Sequence, residues 1–445
     1  MRPKLQHCDQ SELFRARLDQ ILDHRHQLYH LATEIDWDFF TQEFGLLYVE
    51  HIGRPGLPTR LLVGLHYLKH AYNESDESVV DRFIENPYWQ YFCGFQYFQH
   101  EFPLDPTSLV KWRKRIGSEK MEQLLKETLE TAKRKRHLTK RHAQKVNADT
   151  TVQEKAIAFP TDARLYHKAR IALVRAACER GIELRQTYKR VGKRALIMAG
   201  RYSHARQGRR AKKETKKLYT YLGRVIRDIK RKCPTPDDAL SQLLARAERI
   251  RNQKRDDKGK IYSLHAPEVE CIAKGKAHKK YEFGCKVSLL TTSTDNWIIG
   301  INALHENPYD GHTLEQALTQ SQRLLGWEAG EVYCDKGYQG VSEKIANTRV
   351  HITKRKKHSL KPSEWRWFKR RNAIEPVFGH LKSDNKLDRN YLKGKEGDKI
   401  NAILAACGYN LRKLIRAILF LLSKNRLPWC FSRFQSSLSI SLRTG

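Results

Sequence analysis

The chain lacks the marks of secreted, metal-stapled and membrane proteins. Its nine cysteines (Cys8, Cys93, Cys178, Cys233, Cys271, Cys285, Cys334, Cys407 and Cys430) are scattered singly. With no C-x-x-C pair and no Cys/His cluster at zinc spacing, a disulfide framework and a zinc scaffold are excluded, and a reduced, cytoplasmic setting is expected. The first residues turn polar at once and carry no apolar h-region, so no secretory signal is expected. The longest apolar run, 402–422, is broken by Asn410, Arg412, Lys413 and Arg416 and reads as a buried amphipathic helix, not a membrane span. Internal repeats and low-complexity linkers are also missing.

Acidic residues are the scarcest relative to their counterparts: 49 Asp+Glu face 84 Lys+Arg, for a net charge of +35. Such a surplus repels itself unless phosphates or counterions offset it, which favours nucleic acid, ahead of an anionic membrane, as the working surface. Hydrophobic content of 40% and aromatic content of 10% exclude simple disorder. A chain of 445 residues predicts about two to four domains at roughly 100–200 residues each.

Residues 1–135 read as helical. Leu13, Phe14, Leu18, Ile21, Leu22, Leu28 and Tyr29 recur at helical spacing over 11–31. Further helices are predicted after Thr59 and after Ser75-Asp76, the latter stopping before Asn86-Pro87. Asp105-Pro106 opens another, with Leu109, Trp112 and Ile116 facing inward and Lys111, Arg113, Lys114 and Arg115 outward. Helices ending in a basic one fit a DNA-binding domain, with Lys111, Arg113 and Arg115 as phosphate contacts; a solvated basic face on an ordinary bundle is the other reading.

The texture changes near Lys145. Val146–Val152 alternates and is β-branched, and Lys155–Phe159 could pair back with it. A very basic helical stretch, 163–260, interrupts the pattern and reads as an insertion. Strands are then predicted over 281–292, 297–304, 331–334 and 350–353, with helices over 313–325, 362–382 and 398–422. This order gives an α/β (α+β) class, a mixed sheet with helices on its faces over 140–425. Residues 426–445 read as a loosely ordered tail.

Three acids stand inside apolar or β-branched sequence: Asp149 in Val-Asn-Ala-Asp-Thr-Thr-Val, Asp335 in Val-Tyr-Cys-Asp-Lys-Gly-Tyr, and Glu375 in Arg-Asn-Ala-Ile-Glu-Pro-Val-Phe. Burying any of them unpaired is costly. Three hard oxygen ligands suit two Mg²⁺ ions, or Mn²⁺ in their place. Taken singly, Asp335 also reads as a turn residue, Asp149 as a satisfied strand acid, and Glu375 as a surface acid paired with Arg371. On one continuous helix Arg371, Glu375 and Lys382 share a face, with Phe368 one turn earlier; such a stripe could hold a metal and grip phosphates.

Here the sequence resembles the bacterial insertion-sequence DDE transposases of the IS-five group. Their helix signature of Tyr, two residues, Arg, three residues, Glu, six residues, Lys is matched at Arg371, Glu375 and Lys382, with Phe368 in the Tyr position. The resemblance extends over about 40–415, through Gly53-Arg-Pro-Gly, Thr107–Arg115, Asp149-Thr-Thr-Val-Gln-Glu, Pro160-Thr-Asp-Ala, Asn307–Leu314, Tyr333–Tyr338 and Ala405–Arg412. It implies an RNase-H-like domain carrying Asp149, Asp335 and Glu375 as catalytic and metal-binding acids. It also implies two divalent ions, hydrolysis at inverted-repeat ends, and joining of the 3′-hydroxyls to target DNA.

Other candidates are weighed alongside. His305 and His312 bracket Asn307-Pro-Tyr-Asp310, which we assign to a capped turn in preference to a metal site. Asp162 either approaches the metals or fixes a turn. Trp297, Tyr338, Trp365 and Trp367 could stack on a flipped base, though core packing or cation–π contact is the simpler role. The basic insertion is expected to grip DNA flanking the cleavage site, a solvated helical hairpin being the other reading. The sequence therefore predicts a two-metal DNA transposase, nucleoid-associated and dimeric on DNA, with no membrane partner. A non-catalytic DNA-binding relic or a purely hydrolytic metal nuclease are the rivals.

Overall fold

The computed structural model describes residues 16–48, 55–273, 280–353 and 362–440. The start of the first predicted helix, 11–15, and residues 53–54 of the Gly53-Arg-Pro-Gly motif lie outside the described residues.

Among the described residues eight helices precede the sheet: α1 (Leu18–Ile21), α2 (Gln27–Glu34), α3 (Trp37–Gly45), α4 (Thr59–Ala71), α5 (Ser78–Glu85), α6 (Pro87–Phe92), α7 (Thr107–Arg134) and α8 (Lys140–Ala143). The single helix expected over 11–31 is thus two short ones in its described part. Local chemistry sets the boundaries. The Asn86 side chain accepts hydrogen bonds from the Tyr88 and Trp89 amides while Pro87 occupies the first helical position, where no N–H is needed. The Asp105 carboxylate accepts from the Thr107 amide and hydroxyl at the head of α7.

The sheet contains β1 (Lys145–Glu154), β2 (Glu270–Ile272), β3 (Glu282–Thr292), β4 (Ile298–Leu304), β5 (Glu331–Cys334), β6 (Lys344–Ile345) and β7 (Thr348–Ile352). Its order is β2-β3-β1-β5-β7-β6, with β4 also on β3. β1 runs antiparallel to β3 and parallel to β5, which is parallel to β7. The expected return of Lys155–Phe159 onto β1 does not occur; β3 takes that edge, because its long alternating run offers nine register partners that a short segment cannot match.

Four helices fill the interruption: α9 (Asp162–Glu179), α10 (Lys189–His204), α11 (Gly208–Lys232) and α12 (Asp238–Asn252). They bury a separate cluster around Leu173, Leu222, Ile229, Leu240 and Ile250. The segment leaves and returns at one place: Phe159 and Tyr262 both pack on Phe283 of β3, with ring centroids 5.4 Å away in each case. Beside it Lys155 Nζ pairs with Glu268 at 2.9 Å and Asp398 at 2.7 Å, all three side chains buried.

The remaining helices are α13 (Leu314–Leu325), α14 (Pro362–Arg371), α15 (Ile374–Asp384) and α16 (Gly394–Ile440). Residues 441–445 of the expected tail, 426–445, lie outside the described residues. α16 packs on α4, α7 and β4. Gly408 makes the approach to α4 possible, since a β-carbon there would meet the His70 carbonyl oxygen at 2.6 Å. One hydrophobic cluster consequently runs from Leu18 and Phe40 through Leu404 to Val146 and Val332, joining the early helices to the sheet.

Candidate active site

Asp149 lies on β1, 8% exposed. One carboxylate oxygen accepts from the Thr150 amide at 2.7 Å, and the other from Arg371 Nη1 at 3.3 Å. The parallel register sets Asn147 opposite Tyr333, so Asp149 on β1 and Asp335 just past the end of β5 each come two residues after the same rung. Asp335 opens a 3-10 turn, Lys336–Tyr338, and accepts from the Gly337 amide at 2.8 Å.

Tyr338 is fully buried, yet its hydroxyl has no hydrogen-bond partner among the described residues. Burial, reinforced by Cys334, Asp149, Asp310 and Asp335, holds its phenol far above the ordinary range. Three acids therefore press on one orphaned hydroxyl. Sequence reasoning left Asp310 structural, and it does begin a 3-10 turn, Asp310–Thr313. Its side chain does not cap that turn; it accepts from Thr150 Oγ1 at 3.1 Å and from Lys286 Nζ at 2.9 Å.

Glu375 stands in the exposed first turn of α15. Ile374, Val377, Phe378 and Leu381 form the buried stripe of that helix, which packs on β1. The expected single helix over 362–382 is broken between Arg371 and Ile374. Pro376 is the cause: its ring clashes with the carbonyl four residues earlier, that of Asn372, and it lacks the N–H that would bond it. Arg371 consequently pairs with Asp149 and not with Glu375, and Lys382 reaches Glu282 of β3 at 3.8 Å. Phe368 is buried edge-on against Tyr333, 5.3 Å between centroids, a setting that needs no hydroxyl.

Arg113 must be withdrawn as a DNA contact. It is 2% exposed and forks onto Asp76 at 2.8 and 2.6 Å, because the inward stripe of Leu109, Trp112 and Ile116 carries position 113 with it. Lys111 and Arg115 are exposed, Arg115 lying 5.2 Å over the Tyr48 ring. Asp162 is exposed in the first turn of α9. Lys413 covers buried Trp297, Lys145 covers Trp367 and Lys369 covers Trp365, the cation–π role.

Among the described residues, the trio with ligand atoms all within 4.8 Å of one another is Cys285, His305 and Asp398, not the three predicted acids. This trio lies away from Asp149: Cys285 pairs with Gln153 across β1 and β3. Lys155 is already the cation on Asp398, and His305 lies 3.6 Å from both Glu270 and Asp398. At the other site the donors are hard oxygens from Asp149, Asp335 and Asp310, with a buried hydroxyl left over. That chemistry fits Mg²⁺ or Mn²⁺.

Residues 16–115 match a family model described as a transposase domain (DUF772), and residues 249–411 one described as a transposase DDE domain. The chain belongs to the DDE transposases. An uncharacterized protein of Rhizobium meliloti, ORF8 in the nfe locus, is 53% identical over 207 residues, covering 46% of this chain and all of that protein. No solved structure matches. The sheet order β4-β3-β1-β5-β7, antiparallel then parallel, is the RNase-H-like fold of such domains. Membership makes the transposase a DNA-cleaving enzyme with a divalent metal requirement. Asp335 and Glu375 fall in the second matched segment; Asp149 lies between the two, so its place rests on the register with Asp335. Among the described residues no helix is long and apolar enough to cross a membrane.

Proposed function

We propose that this transposase, of the IS-five group, binds the terminal inverted repeats of its element, hydrolyses phosphodiester bonds at the ends and transfers the 3′-hydroxyls to target DNA. Asp149, Asp335 and Glu375 are the catalytic acids, holding two Mg²⁺ ions for which Mn²⁺ can substitute. The observation that carries the reading is the pair Asp149 on β1 and Asp335 just past the end of the parallel neighbour β5, both bearing on the buried Tyr338 hydroxyl. Bound there, divalent ions activate an attacking oxygen and stabilise a leaving one.

The chain's own groups do the positioning. The Thr150 and Gly337 amides fix one oxygen of Asp149 and of Asp335, leaving each carboxylate oriented before substrate arrives. Arg371 neutralises Asp149 at 3.3 Å and is placed to trade that carboxylate for a phosphate. Glu375 approaches from the exposed first turn of α15, where the helix N-terminus also favours a phosphate. Lys382, Lys111 and Arg115 are the further DNA contacts. Residues 1–135 form the helical DNA-binding domain and 140–425 the catalytic domain, with 163–260 as its basic insertion. A homodimer brings two element ends together, and the protein resides on the nucleoid.

The test is cleavage and strand transfer on labelled DNA carrying the element's own ends with Mg²⁺. Wild type is expected to give nicked and joined products, while Asp149→Asn, Asp335→Asn and Glu375→Gln bind the ends and yield neither. Binding without cleavage by wild type would sink the reading in favour of a DNA-binding relic; nicks without joined products would favour a nuclease.

A further inference from the structure

Asp310 has a setting that a turn residue does not need. Its Oδ1 accepts from Thr150 Oγ1 at 3.1 Å and from Lys286 Nζ at 2.9 Å, and the same ammonium donates to the Pro308 carbonyl at 2.6 Å. The Thr313 hydroxyl fixes the backbone, donating to the Asp310 carbonyl at 2.7 Å. With one oxygen thus tethered, Oδ2 has a set direction. It faces Gly337: a β-carbon there would lie 3.0 Å from Asp310 Oδ2 and 2.9 Å from Asp335 Oδ1. The two carboxylate oxygens therefore border one small space, which any side chain at 337 would fill. Like charges facing one such space repel unless a cation or proton sits between them. Lys286 lies on the far oxygen of Asp310, and the buried Tyr338 hydroxyl, without a partner among the described residues, feels the charge of both acids.

We propose that Asp310 is a fourth acid of the active site: its Oδ2 binds the divalent ion that Asp335 also binds, while Thr150 and Lys286 orient it through Oδ1. This rests on the metal-site reading above. Gly337 is then required because it lets both carboxylates reach one ion.

The experiment is Mn²⁺ titration of the full-length protein without DNA, followed by the loss of the free-ion electron paramagnetic resonance signal. Wild type is compared with Asp310→Asn, Gly337→Ala and Asp335→Asn. Asp310→Asn and Gly337→Ala are expected to weaken Mn²⁺ binding about tenfold or more, as Asp335→Asn does. Because Asp310→Asn removes the carboxylate charge opposite Lys286, the double variant Lys286→Met/Asp310→Asn separates folding from ligation: it should melt like wild type and still bind Mn²⁺ weakly. Mn²⁺ affinity within twofold of wild type in Asp310→Asn, alongside a loss in Asp335→Asn, overturns this proposal alone and leaves Asp310 an ion-pair partner of Lys286. No stoichiometric Mn²⁺ site in wild type, or one untouched by Asp335→Asn, overturns the metal-site reading together with it.

Discussion

Replacing Arg113 with Met separates two jobs that the cations of α7 share out between them. The Arg113 side chain is 3% exposed and makes two charge-assisted bonds to Asp76, and its Nη1 lies 3.3 Å from His66 Nε2. Breaking a buried pair costs about 3–5 kcal/mol. Lys69 remains on Asp76 at 2.7 Å, so about 3 kcal/mol, the low end, is expected for Arg113→Met. Asp76→Asn strands two buried cations, Lys69 and Arg113, and belongs at the upper end, about 5 kcal/mol. Lys111→Met and Arg115→Met change exposed groups and should stay within about 0.5 kcal/mol of wild type. DNA binding should divide them the other way. Each lost phosphate contact lowers the slope of log affinity against log salt by about 1, for Lys111 and Arg115 but not for Arg113. Urea midpoints by circular dichroism and fluorescence-anisotropy titrations across a salt series read both quantities. A wild-type urea midpoint in Arg113→Met, coupled to a shallower salt slope, would refute the assignment.

Acid should loosen the same region. Burial and neighbouring Arg113 push fully buried His66 down to about 3, and its Nδ1 bonds the Leu62 carbonyl, so the folded chain keeps it neutral. The unfolded chain takes up that proton near 6.5, so stability should fall as pH drops from about 6.5 to about 3, by about 1.4 kcal/mol per pH unit; His66→Gln should flatten that part of a urea-midpoint profile, and an unchanged profile would count against it. Lys155→Met leaves Glu268 and Asp398 buried without their ammonium and should cost about 3–5 kcal/mol, read as a lowered urea midpoint that a double change with Asp398→Asn partly restores. Exchanging 163–260 for a short Gly/Ser linker should leave a cooperatively melting sheet, because that segment buries its own cluster, while the salt slope of DNA binding drops; a chain that no longer melts cooperatively would show the two clusters to be one.

β1, β3, β4, β5, β7 and α13 were legible because β-branched alternation and helical periodicity are local signals, while the short β2 and β6 carry too few residues to show either. What escaped was set by partners distant in sequence. Arg113 reads as one of a basic run until Asp76, on the loop before α5, is folded against it. Asp310 reads as a turn until the sheet order carries the end of β4 round beside the turn after β5. The partner of β1 arrives only after the four-helix interruption, so Lys155–Phe159 looked like the nearest candidate. The break before Ile374 is different: Pro376 announced it, and the regular spacing of Arg371, Glu375 and Lys382 masked it.

The common attachment of Phe159 and Tyr262 to Phe283 makes the four helices a cantilever rooted on β3. Any pull from DNA held along that arm is delivered to the sheet at one end of β1 and β3, where Lys155 bolts it to Asp398 of α16. The root, Lys155 against Phe283, lies two positions beyond the Gln153–Cys285 rung, just past the end of the strand that carries Asp149. Load on the arm and alignment of the acids therefore share one beam, and the arm can be lengthened, shortened or exchanged at its root without rewriting the strand order that holds the acids.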